Sequence, residues 1–396
     1  MKSKTYVFMA AALMVTSTIV AAASGASASS LKGQSCPSKG AQLTAGGYVY
    51  TCSQVTVTVN KKKVKKLEWS AGVKVVPTTT TTVAPPVALP SGNFDTTPAG
   101  ALIWQENFTG AAGTGINSSI WTPVTGSGTY GTGEIENNTS SPDNLSLDGN
   151  GNLVITAKCI ATSNPGCESS SQSMGSTWTS ARIWTENKAT FQYGQLEARI
   201  WMPAGSFNWP AFWMMGASYG APTNPTPWPM TGELDIAEGL QGNSQDQATI
   251  HSNIPGTTTD WGEGSGLTQV APITGSAMTS GWHTYGILWQ PNFIAFTLDG
   301  KVWAEDTYNP ATTDVTQTTL TSTGSTVSVT SGPGTSISSE GGNWPFNAPF
   351  FIILNDAVGG VSSPIAPNGS SGQMKINWIK YYKYNNYGTT TAQPAS

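Results

Sequence analysis

Three carboxylates fall within six residues of one otherwise apolar segment: Glu233, Asp235 and Glu238. Side chains of a β-strand alternate between faces, so Glu233 and Asp235 share a face and Glu238 points to the other. One bulge residue between Asp235 and Glu238 would bring all three carboxylates onto one surface. The two glutamates could then approach to the roughly 5–5.5 Å found between the carboxyl groups of a retaining glycosidase. The alternative is a solvated strand face with ordinary charges.

Tryptophans upstream of the acidic segment support carbohydrate chemistry. Trp209 and Trp213 are four residues apart, so they share one face if the segment is a strand. Pyranose rings present flat C–H faces, and indole is the largest flat apolar surface that a protein offers. We therefore expect one or both tryptophans to line sugar subsites, with a plain core role for one of them as the alternative.

Five sequence blocks, in this order, resemble glycoside hydrolase family 16 and, within it, the laminarinases, which are endo-acting β-1,3-glucanases. The blocks are WTSARI (178–183), YGQLEAR (193–199), SFNWPAFWMM (206–215), GELDIAEG (232–239) and PFFIILNDAVGG (349–360). The resemblance runs from about Leu102 to Tyr382. It implies a polysaccharide substrate of the β-glucan type.

The resemblance also implies the catalytic roles. Glu233 would be the nucleophile and Glu238 the general acid/base, with Asp235 between them. Glu233 then attacks the anomeric carbon while Glu238 protonates the leaving oxygen and afterwards activates water. The like charges of Glu233 and Asp235 should raise the pKa of Glu238. The spacing alone does not decide which glutamate plays which part.

Three further residues are candidates for substrate contacts. His251 lies one strand after the acidic segment and would face the same cleft if the two strands pair antiparallel; a structural histidine is the alternative. Arg182 is either a subsite contact or the partner of Glu197 in a buried pair. Asn137 lies in a segment that resembles the family's non-reducing side of the cleft.

The N-terminus has the features of a secretory signal peptide over residues 1–28. Lys2 and Lys4 precede an apolar run from Tyr6 to about Val20, and Ala26-Ser27-Ala28 offers small residues for cleavage. An uncleaved anchor is the alternative, but Thr16, Ser17 and Thr18 interrupt the run. We expect a secreted, extracellular protein with no membrane association after removal of the signal.

The rest of the chain divides into four regions. Residues 29–76 predict a small β-module of two or three strands, and residues 77–95 a Thr/Pro-rich linker. Residues 96–387 carry short strand-like runs between Gly, Asn and Ser turns, which is typical of an all-β sandwich. The resemblance makes this catalytic domain a jelly roll of the concanavalin A-like type. Residues 388–396 predict a disordered tail.

The cysteines form two local groups, Cys36 with Cys52 and Cys159 with Cys167. Four cysteines allow three pairings, and the linker between the groups favours the two local disulfides. In the small module a basic run, KKKVKK (61–66), either binds an anionic cell-wall polymer or is a solvated turn between strands.

No metal or cofactor is expected. The chain has two histidines, His251 and His283, and neither stands at zinc-ligand spacing from the cysteines. Family members hold a structural calcium with acids where this chain has Asn107 and Asn377, so a calcium site is doubtful. Ala237 stands where many members of that family have a methionine. The net charge of −4 offers no basic groove for nucleic acid, and we expect a monomer.

The sequence therefore predicts an endo-acting, retaining β-1,3-glucanase. Two alternatives stay open. One is a non-catalytic β-glucan-binding protein on the same fold, which would have no need of the three acids. The other is a family member that acts on mixed-linkage β-1,3-1,4-glucan or on a galactan.

Overall fold

The computed structural model describes residues 34–36, 39, 42–45, 48–59, 62–70, 73–74, 100–128, 131–162, 166–168, 174–175, 177–240, 245–253, 258, 260–267, 278–311, 314–323, 326–332 and 344–392. The predicted signal peptide and linker lie outside these residues. Contacts divide the chain into two units, Met1–Val87 and Ala88–Ser396. No helix of the described part is long and apolar enough to cross a membrane.

The described residues of the first unit form a single antiparallel sheet. Its strands are β1 (Gln42–Ala45), β2 (Tyr48–Val59), β3 (Lys62–Trp69) and β4 (Val73–Lys74), and both β1 and β4 pair with β2 beside β3. The sheet thus has four strands rather than the two or three predicted. The Cys36–Cys52 disulfide links β2 to the segment that precedes β1. So small a module buries little apolar surface, which makes this cross-link important for its stability.

The helices and strands described in the second unit are almost entirely strands. They are β5 (Leu102–Glu106), β6 (Thr122–Val124), β7 (Gly126–Ser127), β8 (Asn137–Asn138), β9 (Leu145–Leu147), β10 (Leu153–Cys159), β11 (Trp178–Ser180), β12 (Arg182–Trp184), β13 (Phe191–Gln192), β14 (Gly194–Trp201), β15 (Asn208–Gly216), β16 (Glu233–Leu240), β17 (Gln245–Asn253), β18 (Asp260–Leu267), β19 (His283–Gln290), β20 (Phe293–Leu298), β21 (Lys301–Asn309), β22 (Asp314–Thr323), β23 (Thr326–Gly332), β24 (Phe350–Val358), β25 (Ser371–Tyr382) and β26 (Thr389–Thr390). Short 3₁₀ helices span Gly166–Glu168, Met278–Ser280 and Pro345–Asn347.

These strands form two sheets. The front sheet has the order β18-β17-β16-β15-β24-β12-β6, with β13 beside β24 and β26 beside β13. The back sheet has the order β23-β22-β21-β20-β19-β14-β25-β10-β11-β8-β7, with β5 beside β25 and β9 beside β10. Nearly all described pairs are antiparallel; β8 and β11 are parallel. The all-β jelly-roll sandwich that the sequence predicts is confirmed.

One core fills the space between the two sheets. Alternate residues of the front strands, such as Leu234 and Ile250, meet alternate residues of the back strands, such as Leu196 and Ile287. Each of these four side chains is at most 1% exposed. Because one face of strands such as β16 and β17 is committed to this core, the other face of the front sheet is the surface on which polar side chains can be displayed.

The second disulfide and the C-terminal segment bear on two predictions. Cys159 pairs with Cys167, so both local disulfides are confirmed. Strand β26 pairs with β13, and the Tyr381 hydroxyl lies 3.1 Å from Thr389 O. The prediction of a disordered tail from residue 388 is therefore wrong as far as Ala392, because strand pairing holds this segment at the sheet edge.

The donor set at Asn377 does not fit the calcium site that the resemblance implies. Asn377 Nδ2 donates to Gly151 O (3.0 Å) and Asn152 Oδ1 (2.9 Å), and Arg199 Nη1 donates to Asn377 Oδ1 (3.0 Å). A guanidinium only donates, so the amide oxygen faces Arg199 and the amide hydrogens face the two oxygens. Those hydrogens satisfy oxygens that a calcium ion would otherwise need as ligands.

The other implied ligand region is engaged in the same way. Glu106 Oε1 accepts a hydrogen bond from Phe108 N (3.0 Å), and Glu106 Oε2 accepts one from Trp121 Nε1 (3.4 Å). Both carboxylate oxygens thus have protein donors. In both regions protein N–H groups thus donate to oxygen atoms that a bound cation would otherwise contact.

We therefore expect EDTA to shift the melting temperature of the protein by less than about 1 °C in differential scanning fluorimetry. A tight site would contribute about 2.7 kcal/mol at a hundredfold excess over Kd, which is several degrees for a domain of this size. Asn377→Asp is the positive control, because it removes the amide donors and sets a carboxylate against two oxygens. Calcium should raise the melting temperature of that variant. A reversible wild-type shift of about five degrees or more would show that a tight calcium site is present.

Candidate active site

A β-bulge in strand β16 orients the three predicted carboxylates. Against β15, Glu238 pairs with Ala211 and Asp235 pairs with Trp213, and the register shifts between these pairs. Against β17, the same shift separates the pairs Asp235–Thr249 and Glu238–Gln247. Because Ile236 and Ala237 are both buried, Glu238 returns to the face of Glu233 and Asp235. The predicted bulge is confirmed.

The register builds a polar and aromatic surface on this face of the front sheet. One row runs across the strands from Glu238 through Ala211 and Asn355 to Arg182. The next row runs from Asp235 through Trp213 and Ile353 to Trp184, and a third joins Glu233 to Met215 and Phe351. We call this surface the carboxylate face. It brings together the three predicted acids, both predicted tryptophans and Arg182.

Both tryptophans contact polar site residues. Trp209 Nε1 donates to Glu238 Oε1 at 3.1 Å, and Trp213 Nε1 donates to Asn355 Oδ1 at 2.6 Å. The Arg182 guanidinium lies 5.0 Å from the centroid of the Trp213 ring. Neither tryptophan is buried in the core between the sheets, so both are available to a ligand on the carboxylate face.

Gly360 fixes the position of Trp209. Its φ of +58° is in the left-handed region, and a Cβ there would overlap the Trp209 ring and lie 2.8 Å from Thr132 O. Only glycine therefore allows the chain after β24 to pass so close to this indole. The indole in turn holds one oxygen of Glu238.

His251 lies between two carboxylates. It pairs with Glu233 across β16 and β17, and its Nε2 is 3.2 Å from Asp235 Oδ2. Its Nδ1 is 2.9 Å from Asp260 Oδ2, on strand β18. Burial alone would lower the pKa of His251, but the hydrogen bonds to Asp235 and Asp260 raise it to about 11. His251 is therefore an imidazolium throughout the neutral range.

The two glutamates have raised pKa values. Burial, followed by the charge of Asp235, raises the pKa of Glu238 to about 8, and the Trp209 hydrogen bond opposes this increase. Burial and Asp235 also raise the pKa of Glu233 well above its usual value, while the charges of His251 and Arg182 lower it. Two carboxyls coupled in this way do not both ionise easily, so they suit a pair with one proton between them.

Glu233, Asp235 and His251 are also the described group whose geometry could hold a metal ion, since their ligand atoms lie within 4.8 Å of one another. Both ring nitrogens of His251, however, lie within hydrogen-bonding distance of carboxylates. An imidazolium donates from both nitrogens and has no lone pair for a metal. The arrangement fits a proton-bearing histidine better than a metal ligand.

The structure corrects two of the site predictions, those for Arg182 and Asn137. Arg182 does not pair with Glu197, because Glu197 lies on β14 in the back sheet and accepts a hydrogen bond from Gln195 (2.8 Å). Arg182 instead lies 4.0 Å from Glu134. Strand alternation and sheet membership separate the two residues, and the sequence blocks alone did not reveal this.

Asn137 lies on β8 in the back sheet, within 3.3 Å of the Ser127 hydroxyl. Within the same segment, Glu134 is the residue that approaches Arg182 on the carboxylate face. The sequence prediction thus named a residue that lies in the back sheet and overlooked the acid that approaches Arg182. Asp260 and Asn355 were also overlooked, because only strand register brings them to the site.

Comparisons with known proteins identify the family to which this fold belongs. The family described as Glycosyl hydrolases family 16 matches residues 132–380. A β-glucanase of Rhodothermus marinus is 25% identical over 302 residues, which cover 75% of this chain and 90% of the relative. A glucan endo-1,3-β-glucosidase of Cryptopygus antarcticus is 29% identical over 302 residues, which cover 72% and 93%.

The likeness extends to solved structures. The catalytic domain of an endo-1,3-β-glucanase (laminarinase) from Thermotoga petrophila superposes with a TM-score of 0.52 at 26% identity. The match covers 73% of this chain and 100% of that domain.

The two carboxylates that contact His251 lead to a prediction that can be tested without an activity assay. We expect Asp260→Asn to lower the pKa of His251 by about one unit or more, because it removes a charged acceptor from Nδ1. Imidazole NMR titration measures this pKa, and His251→Asn assigns the signals because the chain has only two histidines. Asp299→Asn is the matched control, since Asp299 lies 2.8 Å from His283 instead. A His251 pKa that is unchanged in Asp260→Asn would contradict the claim that the Asp260 contact raises it.

Proposed function

The chain belongs to glycosyl hydrolase family 16, and from this premise we propose that it is a secreted, endo-acting hydrolase of β-1,3-glucan with a retaining, double-displacement mechanism. One observation carries the proposal. The bulge in β16 sets two glutamates with raised pKa values on one face, with Asp235 between them and an indole N–H on the second glutamate.

In the first step the Glu233 carboxylate attacks the anomeric carbon and the bond from this carbon to the glycosidic oxygen breaks. Glu238 gives its proton to that leaving oxygen. In the second step the Glu238 carboxylate takes a proton from water, and the water oxygen attacks the same carbon and releases Glu233. Two displacements at one carbon retain the anomeric configuration.

The charges around the two glutamates support this division of roles. Burial and the charge of Asp235 raise the pKa of Glu233 well above its usual value, and the positive charges of His251 and Arg182 oppose this rise, which favours the ionised form that a nucleophile needs. Burial and the charge of Asp235 keep the pKa of Glu238 near 8, so Glu238 carries a proton at neutral pH. Asp235 accepts a hydrogen bond from His251 and lies between the two glutamates on the strand.

The substrate class is inferred from the surface and from relatives. Trp209 and Trp213 offer indole rings beside the acids, on which pyranose faces can stack. Strict β-1,3-1,4-glucanases usually lack the bulge residue, which favours β-1,3 linkages here. The name of the Cryptopygus relative points to the same linkage. A purely binding protein would have no use for three carboxylates whose burial costs stability.

Secretion is part of the proposal. It is supported by the signal-like residues 1–28 and by two disulfides, which persist in oxidising compartments.

We expect the protein to release reducing ends from laminarin and curdlan, and to act more slowly on lichenan, agarose and xyloglucan. Glu233→Gln and Glu238→Gln should each reduce kcat on laminarin by about 10³-fold or more, because one removes the nucleophile and the other the proton donor. A reducing-sugar assay on purified variants with unchanged melting temperatures measures the loss.

Glu197→Gln is the matched control. It makes the same substitution at a buried glutamate of the back sheet, so it should keep wild-type kcat. Near-wild-type turnover by either active-site variant would remove the mechanism. Faster hydrolysis of agarose than of laminarin by the wild type would overturn the substrate class instead.

The Glu238–Trp209 hydrogen bond predicts a specific pH effect. Since Glu238 must be protonated, kcat/KM should fall as the pH rises through about 8. The indole N–H favours the ionised form, so Trp209→Phe should raise this pKa and move the alkaline limb upward by about half to one pH unit. Trp213→Phe is the control, because the Trp213 indole donates to Asn355 and not to Glu238. The alkaline limb of kcat/KM in this variant should therefore stay where it is in the wild type. A downward movement in Trp209→Phe, or the same shift in both variants, would contradict this role.

A further inference from the structure

The small N-terminal unit carries a run of exposed lysines that the hydrolytic site does not use. The first five residues of β3 are all exposed, and four of them are lysines: Lys62, Lys63, Lys65 and Lys66. We call these four residues the lysine edge. Lys66 forms an ion pair with Glu68.

The lysine edge coincides with an edge of the sheet that no described strand covers. Among the described residues, β3 pairs along its length only with β2. The far end of β3 is covered, since Cys36 N bonds Leu67 O (3.3 Å) and Trp69 N bonds Gln34 O (2.9 Å). No described strand lies beside residues 62–66, so this part of the edge is open to an extended ligand.

The lysines flank this edge on both sides. Lys63 and Lys65 lie opposite Thr58 and Thr56 and share their face, and all four of these residues are exposed. Lys62 and Lys66 point to the other face of the strand. Lysines two residues apart are about 6.6 Å apart along the strand. A linear molecule along the open edge would therefore meet ammonium groups from both faces.

The charge of the unit is far from that of the chain as a whole. Residues 29–76 contain eight lysines and one acidic residue, Glu68, for a formal net charge of +7, whereas the whole chain has −4. Residues 77–396 contain 21 acidic and eight basic residues. Positive charge is thus concentrated on a module that contains none of the proposed catalytic residues.

We propose that the lysine edge binds a linear anionic polysaccharide. Lysines at strand spacing without acids between them repel one another, and a polyanion along the edge replaces that repulsion with attraction. Their long stems let each ammonium group adjust to charges along a flexible polymer. The hydroxyls of Thr56 and Thr58 can donate hydrogen bonds to the same chain. The module would thereby hold the hydrolase at a charged glycan matrix.

Edge protection and nucleic-acid binding are two other roles for exposed lysines on a strand edge. Lysines do protect open strand edges from pairing with other chains, and self-association of the variants below tests that role separately. A single-stranded nucleic acid site would need aromatic side chains for base stacking, and residues 62–66 contain none. Four lysines with no acidic residue among them fit a polyanion that is recognised by its charge alone.

Affinity electrophoresis of the full-length protein in native gels tests the proposal. The probe is polygalacturonate, and neutral dextran is the comparison polymer. We expect retardation by polygalacturonate only, with an apparent Kd that rises at least tenfold between about 50 mM and 500 mM NaCl because the charges are screened. Lys63→Gln/Lys65→Gln should raise the Kd at least fivefold at low salt. Replacement of all four lysines by arginine should keep the Kd within about twofold.

Lys158→Gln/Lys301→Gln is the matched control, because it removes the same charge from the second unit and should leave the Kd unchanged. Unchanged melting temperatures establish that the variants are folded. Equal retardation by dextran, or equal loss in the two double variants, would overturn the proposal. Tighter binding to a DNA duplex than to polygalacturonate would overturn the partner class. Self-association of the glutamine variant, without wild-type binding to polygalacturonate, would identify the lysines as edge protection only.

Discussion

The β-bulge at Ile236 and Ala237 is the constraint on which the candidate active site depends. A regular strand would send Glu238 into the core between the sheets, where an unpaired carboxyl is very costly. The extra residue buries Ile236 and Ala237 in succession and returns Glu238 to the face of Glu233. The rigid pairing of β15, β16 and β17 then fixes both glutamates on one surface, and no flexible loop supplies either of them.

Three carboxylates on one strand repel one another, and neighbouring strands supply what stabilises them. His251 contributes a positive charge because Asp235 and Asp260 bind its two nitrogens. Arg182 adds a second charge from β12, and Trp209 donates an N–H to Glu238. Burial raises the pKa of both glutamates, while the unequal placement of cations and donors distinguishes them. The same balance leaves Glu238 with a pKa of about 8, which suits the proton donor of the proposed mechanism.

Local patterns in the sequence predicted much of this arrangement. The contacts that were not predicted depend on pairing between distant segments of the chain. Strand parity alone exposed the need for a bulge before Glu238, and it placed Trp209 and Trp213 on one face. The contact of Asp260 with His251 depends on the register of β17 with β18, which no local pattern encodes. The prediction of an Arg182–Glu197 pair was wrong for the same reason, since the two residues lie in different sheets.

The stereochemistry of the first product tests the central claim most directly, because it reports how closely the bulge brings Glu233 and Glu238 together. Proton NMR of laminarin hydrolysis, recorded before mutarotation, distinguishes the two anomers. We expect the β-anomer to appear first, as a covalent glycosyl–Glu233 intermediate requires. An initial α-anomer would mean inversion, with a water molecule between more widely separated carboxylates, and would contradict the roles assigned to both glutamates.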